Sequence, residues 1–269
     1  MSETKRLRRS TEGGYARGDE TRLRIIQAAI ELFGEHGFVA ASTREIAARA
    51  GVNAPALQYY FENKEGVYRA CAEHLADEVW EKFEPVVRHA SETLEATSDI
   101  APLIEAFVAI QNVMIDKALT TPSAPTLKLF FVREQGGQEP ALATEIFQNR
   151  VRGPLNRVAA ALIGKISGTA PDDPVTILRL LALHGQFMSF HMAPRSVMTL
   201  LGWSKIDAEK IEVVKQTIFA NTRALLQLWA VESEARKPKG KASKTKAKTQ
   251  GEASETPPHE TPAERRRKR

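Results

Sequence analysis

The sequence predicts an all-α fold, and three observations carry this prediction. Apolar residues recur at spacings of three and four, as with Leu23, Ile26, Ile30 and Phe33, which places them on one face of a helix. Prolines stand near proposed helix starts, where proline is tolerated because the first amides have no partner within the helix. These prolines are Pro102, Pro125, Pro140 and Pro174. The alternation of apolar and polar residues that is typical of strands is absent from the sequence.

The composition is that of a globular chain with a sizeable core. Its 269 residues are 42% hydrophobic, which is enough for one large domain or two unequal ones. The single cysteine, Cys71, has no partner for an internal disulfide, and the first ten residues lack the apolar run of a signal peptide. Every longer apolar stretch is interrupted well short of the roughly 18 residues of a membrane span. We therefore expect a cytoplasmic protein without a membrane partner.

Charge is distributed unevenly along the chain. Residues 1–72 hold 11 basic and 9 acidic side chains, residues 73–235 hold 15 and 20, and residues 236–269 hold 12 and 4. A mildly basic start, an acidic middle and a strongly basic end fit a protein that contacts a polyanion at one end and another kind of partner through its middle. The basic tail alone is weak evidence, because many proteins that never contact nucleic acid have one.

Local sequence patterns define the first two helices. The first helix is expected over about residues 20–35 and ends before Gly37, because glycine suits a left-handed C-terminal cap. Ser42 and Glu45 have the spacing of a capping box, in which each side chain bonds the backbone amide of the other residue. The second helix therefore starts at Thr43.

Two asparagines mark the starts of the next helices. Asn53 caps a short third helix, in which Pro55 is harmless because it lies in the first turn. Asn63 caps a long fourth helix, which we expect Pro85 to kink or end. Further helices are predicted over about 100–118, 125–134, 139–164, 174–192, 195–201 and 207–232.

These patterns divide the chain into four parts. They are a flexible basic arm over 1–18, a helix-turn-helix domain of three helices and the start of a fourth over 19–79, a larger helical domain over 80–233, and a disordered basic tail over 234–269. The tail has almost no apolar residues, so it cannot bury enough surface to offset the entropy of the chain.

The helix-turn-helix motif at 42–61 joins two short helices through Gly51 and Val52. Helices joined this tightly cross steeply, which leaves the second helix free to enter a DNA major groove about 12 Å wide. Taken alone the motif is a modest indication, because similar helix pairs occur in folds that bind nothing.

The residues around the motif are more specific than the helix pair itself. They are Leu32, Phe33, Gly37, Phe38, Ser42, Thr43, Arg44, Glu45, Ile46, Ala47, Ala50, Gly51, Val52, Leu57, Phe61, Lys64 and Glu65. In this fixed spacing they resemble the N-terminal domain of the TetR/AcrR family of transcriptional regulators over about residues 20–68. The resemblance implies a sequence-specific regulator that binds a palindromic double-stranded DNA operator as a homodimer. It favours a repressor that a small-molecule inducer releases.

The resemblance also places the DNA contacts. Base contacts fall to Asn53, Ala54, Pro55, Ala56 and Gln58. Asn and Gln can bond adenine edges, and Ala can contact a thymine methyl group. No Arg or Lys lies on this helix, so a guanine contact comes from Arg44, from the N-terminal arm, or not at all.

Phosphate contacts are expected at the edges of the motif, from Tyr60 and Lys64, with Thr43, Arg44 and Tyr59 as further DNA contacts. The family usually has a tyrosine directly after the leucine of the recognition helix, where this chain has Gln58. Partial core packing is the alternative for Tyr59 and Tyr60, and a solvated helix face is the alternative for Arg44.

The C-terminal half is less diagnostic, but segments at 129–134, 139–142, 153–155 and 185–187 are similar to the YbiH-like (CerR-type) subgroup of the family. The resemblance implies an inducer pocket. The expected lining is Phe107, Met114, Phe130, Arg133, Phe147, His184, Phe187, Met188 and His191. Arg133 is the expected polar anchor, with an ion pair to Glu134 or Glu139 as the alternative. Ordinary core packing is the alternative for the apolar residues, and a structural role for the two histidines.

The homodimer implied by the resemblance has candidate contact surfaces in two late helices. Apolar stripes run along them, formed by Ile177, Leu180, Leu181, His184 and Met188 in one helix and by Ile211, Val214, Ile218 and Leu225 in the other. Two such helices from each copy suit a four-helix pairing.

The sequence offers no catalytic constellation, so we expect no enzyme, no metal and no cofactor. The segment Gly164, Lys165, Ile166, Ser167 lacks the upstream glycine of a phosphate loop. His184 and His191 are seven residues apart, without the spacing or acidic partners of a metal site. The alternative from another class is an architectural protein that uses its basic tail to bind nucleic acid nonspecifically.

Overall fold

The structure is a computed structural model that describes residues 12–119, 125–137 and 139–236. In these residues the backbone forms α-helices and no β-strand, which confirms the all-α prediction. The helices are α1 (Glu12–Ala40), α2 (Thr43–Arg49), α3 (Ala54–Phe61), α4 (Lys64–Ala96), α5 (Ile100–Leu119), α6 (Pro125–Gln135), α7 (Ala141–Phe147), α8 (Gly153–Ser167), α9 (Pro174–Met192), α10 (Pro194–Leu201) and α11 (Ala208–Arg236). None of the described helices is long and apolar enough to cross a membrane.

The described residues belong to one compact unit that ends at Arg236. Residues 1–11 of the predicted arm and 237–269 of the predicted tail lie outside the described residues. The expected boundary between residues 79 and 80 falls inside α4, which packs on α1 and α3 as well as on α5, α7 and α8. One continuous helix therefore belongs to both predicted domains, and the boundary stays a prediction.

The first turns of α2, α3 and α4 are capped as the sequence predicts. The Glu45 amide donates to Ser42 Oγ at 3.2 Å, and the Ser42 amide donates to Glu45 Oε2 at 3.0 Å. The side chains of Asn53 and Asn63 each accept from the amide three residues on, at 2.9 and 2.7 Å. These bonds satisfy amides that a helix start leaves without a partner.

α1 is longer than the sequence predicts. It begins at Glu12, so residues 12–18 of the expected flexible arm are helical despite containing three glycines. Adding a residue to an existing helix costs far less than starting one, so a strong helix can extend into a weak segment. At the other end Gly37 breaks the helical backbone with φ 79° and ψ 168°, a conformation essentially confined to glycine.

α4 continues through Pro85 to Ala96, so of the two expected effects of this proline, an end of the helix is wrong and a kink stays a prediction. A proline inside a helix removes a backbone hydrogen bond and costs about 3 kcal/mol or more. Phe83 and Val87 flank it and are only 4% and 8% exposed. Burial contributes about 1.5–3 kcal/mol for each such side chain. Packing on both sides of Pro85 therefore outweighs the lost bond.

The single helix expected over 139–164 is instead α7 and α8, joined by a π-helical turn at Gln148–Arg152. Pro154 has no amide hydrogen to donate to the carbonyl four residues earlier. The Gly153 amide reaches the Gln148 carbonyl, five residues back. This wider turn accommodates the proline without ending the helical run.

α6 lies directly against α1. Arg133 donates from Nε to the Gly34 carbonyl at 3.2 Å and from Nη2 to the next carbonyl at 3.3 Å. Glu139 accepts from the Phe38 amide at 2.8 Å. The backbone of Thr126 approaches so closely that any side chain at Gly34 would collide with it. We call Arg133 and Glu139 the α1 clamp, because together they hold both sides of the break at Gly37.

Candidate nucleic-acid interface

The turn between α2 and α3 fixes which face of α3 meets solvent. Gly51 has φ 66°, and the Val52 amide donates to the Ala47 carbonyl at 2.9 Å. This is the hydrogen bond of a left-handed helix end, which glycine adopts without strain. Leu57 and Phe61 then point into the core and are 1% and 5% exposed. The other face of α3 is left to solvent.

The predicted base-contacting residues occupy this solvent face. Asn53, Ala54, Pro55 and Gln58 are exposed, and Ala56 is half-buried. Asn53 uses its Oδ1 as the helix cap, so its NH2 group is the part that is fully available to a base. A bidentate contact to adenine needs both the oxygen and the nitrogen of an amide. Gln58, whose side chain forms no hydrogen bond within the described chain, suits that contact better.

Tyr59 and Tyr60 lie in different environments. Tyr59 is 85% exposed, which is incompatible with the core alternative for this residue. Tyr60 is half-buried and packs against the core. Its ring meets the Tyr59 ring edge-on at 5.3 Å between centroids. A partial core role therefore describes Tyr60, whereas Tyr59 presents its hydroxyl to solvent.

Lys64 is held in position by the end of α1. Its Nζ donates to the Val39 carbonyl at 3.1 Å and lies 4.6 Å from the centroid of the Phe38 ring. An ammonium group has three donors, so this single bond leaves two for other acceptors. The lysine predicted to contact phosphate is thus already ordered beside the helix-turn-helix motif.

An open groove of about 550 Å³ runs between the start of α2, α3 and the start of α4. Thr43, Gln58 and Lys64 all line it, so three of the predicted DNA contacts share one surface. Glu62 and Glu65 line it as well. Their negative charge opposes a phosphate beside them and offsets part of the attraction of Lys64.

The two arginines of α2 differ in their partners. Arg49 is bound to Glu31 at 3.1 Å and to Glu35 at 3.5 Å. Arg44 is exposed and forms no ion pair with any residue in the described ranges. The charge of Arg44 is therefore available to a phosphate or a base, whereas that of Arg49 is compensated within the protein.

None of the apolar residues predicted to line an inducer pocket lines the groove at α3 or the two smaller cavities described below. The four phenylalanines Phe107, Phe130, Phe147 and Phe187 are between 1% and 5% exposed and pack in the core. Met114 is half-buried, and Met188 is 42% exposed on α9. Their contact with a ligand stays a prediction, and all of them except Met188 pack in or against the core.

Of the polar residues of that predicted pocket, Arg133 has other partners, whereas the buried Nε2 of His184 has no hydrogen-bond partner in the described part of the chain. Arg133 bonds the end of α1, and neither of its alternative ion pairs is formed: Glu134 binds Arg152 at 2.6 Å, and Glu139 accepts from a backbone amide. His184 lies between two rings, 6.5 Å from Phe107 and 6.4 Å from Phe187. Burial lowers the pKa of His184 to about 4, so it is neutral at pH 7.

The side chain of His191 lies outside the described residues. Within the described ranges, no three residues among the His, Cys, Asp and Glu side chains are grouped to hold a metal ion.

Two smaller cavities lie in the C-terminal part, and the sequence analysis did not anticipate their residues. One of about 300 Å³ lies between α9, α10 and α11 and includes Phe190, Trp203 and Ile218. The other, of about 110 Å³, lies between α4, α5 and α6 and includes Lys82 and Lys117. Lys117 is the only basic residue of the largely apolar α5, which is the sequence feature that could have drawn attention to it.

Comparison with known proteins shows which family the chain belongs to. Residues 25–71 match the family model for bacterial regulatory proteins of the tetR family, and residues 103–227 match the C-terminal domain of the HTH-type transcriptional dual regulator CecR. The chain is 34% identical over 212 residues to CecR of Shigella flexneri, over 78% of this chain and 93% of that protein. The chain belongs to the TetR family. The predicted family and the type of C-terminal half are thereby confirmed, and the TetR family consists of transcriptional regulators.

Two further proteins are shorter or more distant matches. The HTH-type regulatory protein RaaS of Mycobacterium tuberculosis is 46% identical over 56 residues, which is 21% of this chain and 26% of that protein. A crystal structure of a TetR-family regulator from Mesorhizobium loti is 16% identical with a TM-score of 0.48, and the match covers 79% of this chain and 98% of that one.

Asn53 permits a test that separates helix capping from base contact. Asn53→Ser keeps a capping oxygen and removes the amide donors, whereas Asn53→Ala removes both. In urea unfolding we expect Asn53→Ala to lose about 1 kcal/mol and Asn53→Ser much less. In competition binding, both variants should lose the same discrimination between base pairs at one operator position. If Asn53→Ser retains the full base preference, Asn53 is only a cap.

Proposed function

We propose that this TetR-family chain is a sequence-specific DNA-binding regulator whose recognition helix is α3. The observation that carries the proposal is that one face of α3 is buried and the opposite face is exposed. Leu57 and Phe61 fix it to the core, while Asn53, Gln58 and Tyr59 extend from the opposite face. A rigid helix with uncharged hydrogen-bonding side chains on its outer face suits contact with base edges in a major groove.

Phosphate contacts in this proposal flank the recognition helix. Lys64 at the start of α4 and the exposed Arg44 of α2 supply positive charge, and Thr43 and Tyr60 supply hydroxyl donors. Such contacts set the orientation of the protein on the duplex and carry no sequence information directly. We therefore assign affinity to these residues and sequence preference to α3.

We further propose a homodimer formed through α9 and α11. These helices carry the exposed apolar side chains Val175, Ile177, Leu178, Leu181, Met188, Val213, Leu228 and Val231. Large contiguous apolar surfaces are rare on monomers. Three residues of the stripes drawn from the sequence, Leu180, Val214 and Ile218, are only 3–5% exposed in the single chain. The proposed contact face is therefore rotated towards Leu178 and Leu181.

The finer regulatory proposal is a repressor that a small-molecule ligand releases from a palindromic operator. Two structural connections between the body, by which we mean residues 80–233, and the DNA-binding part support it. They are α4, which starts at Lys64 and continues to Ala96, and the α1 clamp. A ligand that favours a different orientation by about 1.4 kcal/mol lowers operator affinity tenfold, within the usual range of coupling energies. Two half-sites about 34–36 Å apart make affinity sensitive to such a change.

The Lys64→Ala variant tests the proposed interface. The DNA is a fragment from upstream of the protein's own gene that gives a discrete footprint over an inverted repeat. Loss of one cationic phosphate contact should lower the slope of log affinity against log salt by about 0.9. The matched control is Lys165→Ala on α8, because Lys165 also donates to a backbone carbonyl, that of Leu94 at 2.6 Å. The control slope should be unchanged.

An unchanged slope for Lys64→Ala would remove this lysine from the interface. Coverage of the fragment without a discrete footprint would favour the architectural alternative, in which basic residues coat DNA without base preference.

The Leu178→Glu variant tests the proposed dimer face. Leu178 is 64% exposed on α9, and a charge buried in an apolar interface without a partner is costly. Light scattering at micromolar concentration should give a dimer for the wild type and a monomer for Leu178→Glu. Leu200→Glu on α10, where the leucine is 87% exposed, is the control and should remain dimeric. A wild-type monomer, or a dimeric Leu178→Glu, would contradict the assignment.

A further inference from the structure

The cavity of about 110 Å³ between α4, α5 and α6 has an unusual lining for its size. Its walls are apolar on two sides, through Leu75 and Val79 of α4 and Leu127 and Phe131 of α6. The remaining residues of its lining are charged: Lys82, Lys117 and Glu78. Two lysines and one glutamate thus border a small, otherwise apolar space.

Lys117 is the inner of the two cations. In the described part of the chain it has no carboxylate within ion-pair distance, and its recorded contact is the ring of Phe131, 5.2 Å from Nζ to the centroid. Burial, together with the nearby positive charges of Lys82 and Arg152, lowers the pKa of Lys117 to about 8, against a partial opposing effect of Glu78. The ammonium group of Lys117 therefore lacks a negatively charged partner that would balance it.

The neighbouring carboxylates do not supply a partner for the ammonium group of Lys117. Glu78 lies 3.4 Å from His74 and its side chain is 56% exposed, so water screens it. The carboxylate of Glu134 is fully buried and is bound to both terminal nitrogens of Arg152. Placing one more anion beside Lys82 and Lys117 would balance the cavity.

We propose that this cavity binds a small organic acid, with its carboxylate between Lys82 and Lys117 and its flat apolar body against Leu127 and Phe131. The inference rests on the proposed function, since it names the chemical class of ligand that such a regulator would sense. Inorganic phosphate would leave the apolar walls without a partner, and an amine would meet two like charges. Drug-sized ligands fill about 300–1,000 Å³, so this space holds a small acid or the acidic end of a larger one.

The cavity is connected to the DNA-binding part through α6. Leu127 and Phe131 are one helical turn apart and line the cavity. Phe130 and Arg133 of the same helix face the other way, towards Tyr68 and the end of α1. An acid that pushes on the first pair displaces the second, because α6 is a rigid helix packed on both sides.

The test uses the full chain, with benzoate as the probe and benzamide as its neutral match. Isothermal titration should show benzoate binding at least tenfold more tightly than benzamide. Lys117→Met and Lys82→Met should each weaken benzoate binding at least tenfold and leave benzamide binding unchanged. Lys205→Met, an exposed lysine before α11, is the control and should bind benzoate as the wild type does.

The pH dependence supplies a readout that a purely structural lysine would not give. The charged groups facing Lys117 are Lys82, Glu78 and Arg152. A bound carboxylate raises the pKa of Lys117 above its value of about 8 in the free protein. Benzoate affinity should therefore be full below pH 8 and fall as the pH rises past it, with proton uptake on binding. Lys117→Met should abolish the proton uptake.

Equal binding of benzoate and benzamide, or unchanged benzoate binding in both folded lysine variants, would overturn the proposal. If Lys117→Met fails to fold, Lys82→Met decides, because Lys82 is exposed and its replacement leaves the core intact. Operator binding without benzoate is measured in parallel. If the wild type does not bind the operator, the proposed function is contradicted. If the wild type binds the operator but has no benzoate site, only this inference is contradicted.

Discussion

The contact between α6 and the end of α1 is the interaction on which the arrangement of the DNA-binding part depends. A helix leaves its last carbonyls without amide partners, and α1 is broken at Gly37 immediately before the helix-turn-helix motif. Arg133 donates to two of these carbonyls, and Glu139 accepts from the first amide after the break. Hydrogen bonds to charged groups contribute about 1.5–3 kcal/mol each. The body of the protein therefore fixes the point from which α2 and α3 start.

An aromatic cluster lies beneath this clamp and joins the same elements. The Tyr68 ring of α4 lies 5.1 Å from Phe33, 5.2 Å from Phe38 and 5.4 Å from Phe130. Its ring thus contacts both sides of the break in α1 and the inner face of α6. Burial, together with the nearby carboxylates of Glu139 and Glu134, raises the pKa of Tyr68. An aromatic core inside and charged hydrogen bonds outside thus join α1, α4 and α6 in one packed unit.

The sequence was informative where the deciding interactions are local. The caps at Ser42, Asn53 and Asn63 join residues three positions apart. Prediction failed where distant residues decide. Pro85 stays helical because of packing on other helices, and Arg133 bonds carbonyls 98 and 99 positions away. Lys117 stands out in the sequence as the only basic residue of α5, but its proximity to Lys82 at one cavity could not be predicted, because only the fold brings the two together.

Amide hydrogen exchange tests most directly whether the body holds the start of the DNA-binding part through this clamp. In a double variant, Arg133→Met with Glu139→Ala, exchange at the amides of residues 38–41 should accelerate roughly tenfold or more, equivalent to about 1.4 kcal/mol of local stability, while amides in α8 keep their rates. Arg150→Met, which removes surface ion pairs to Glu73 and Asp77, is the control and should leave residues 38–41 unchanged. Equal exchange at residues 38–41 in the wild type and the double variant would contradict the account.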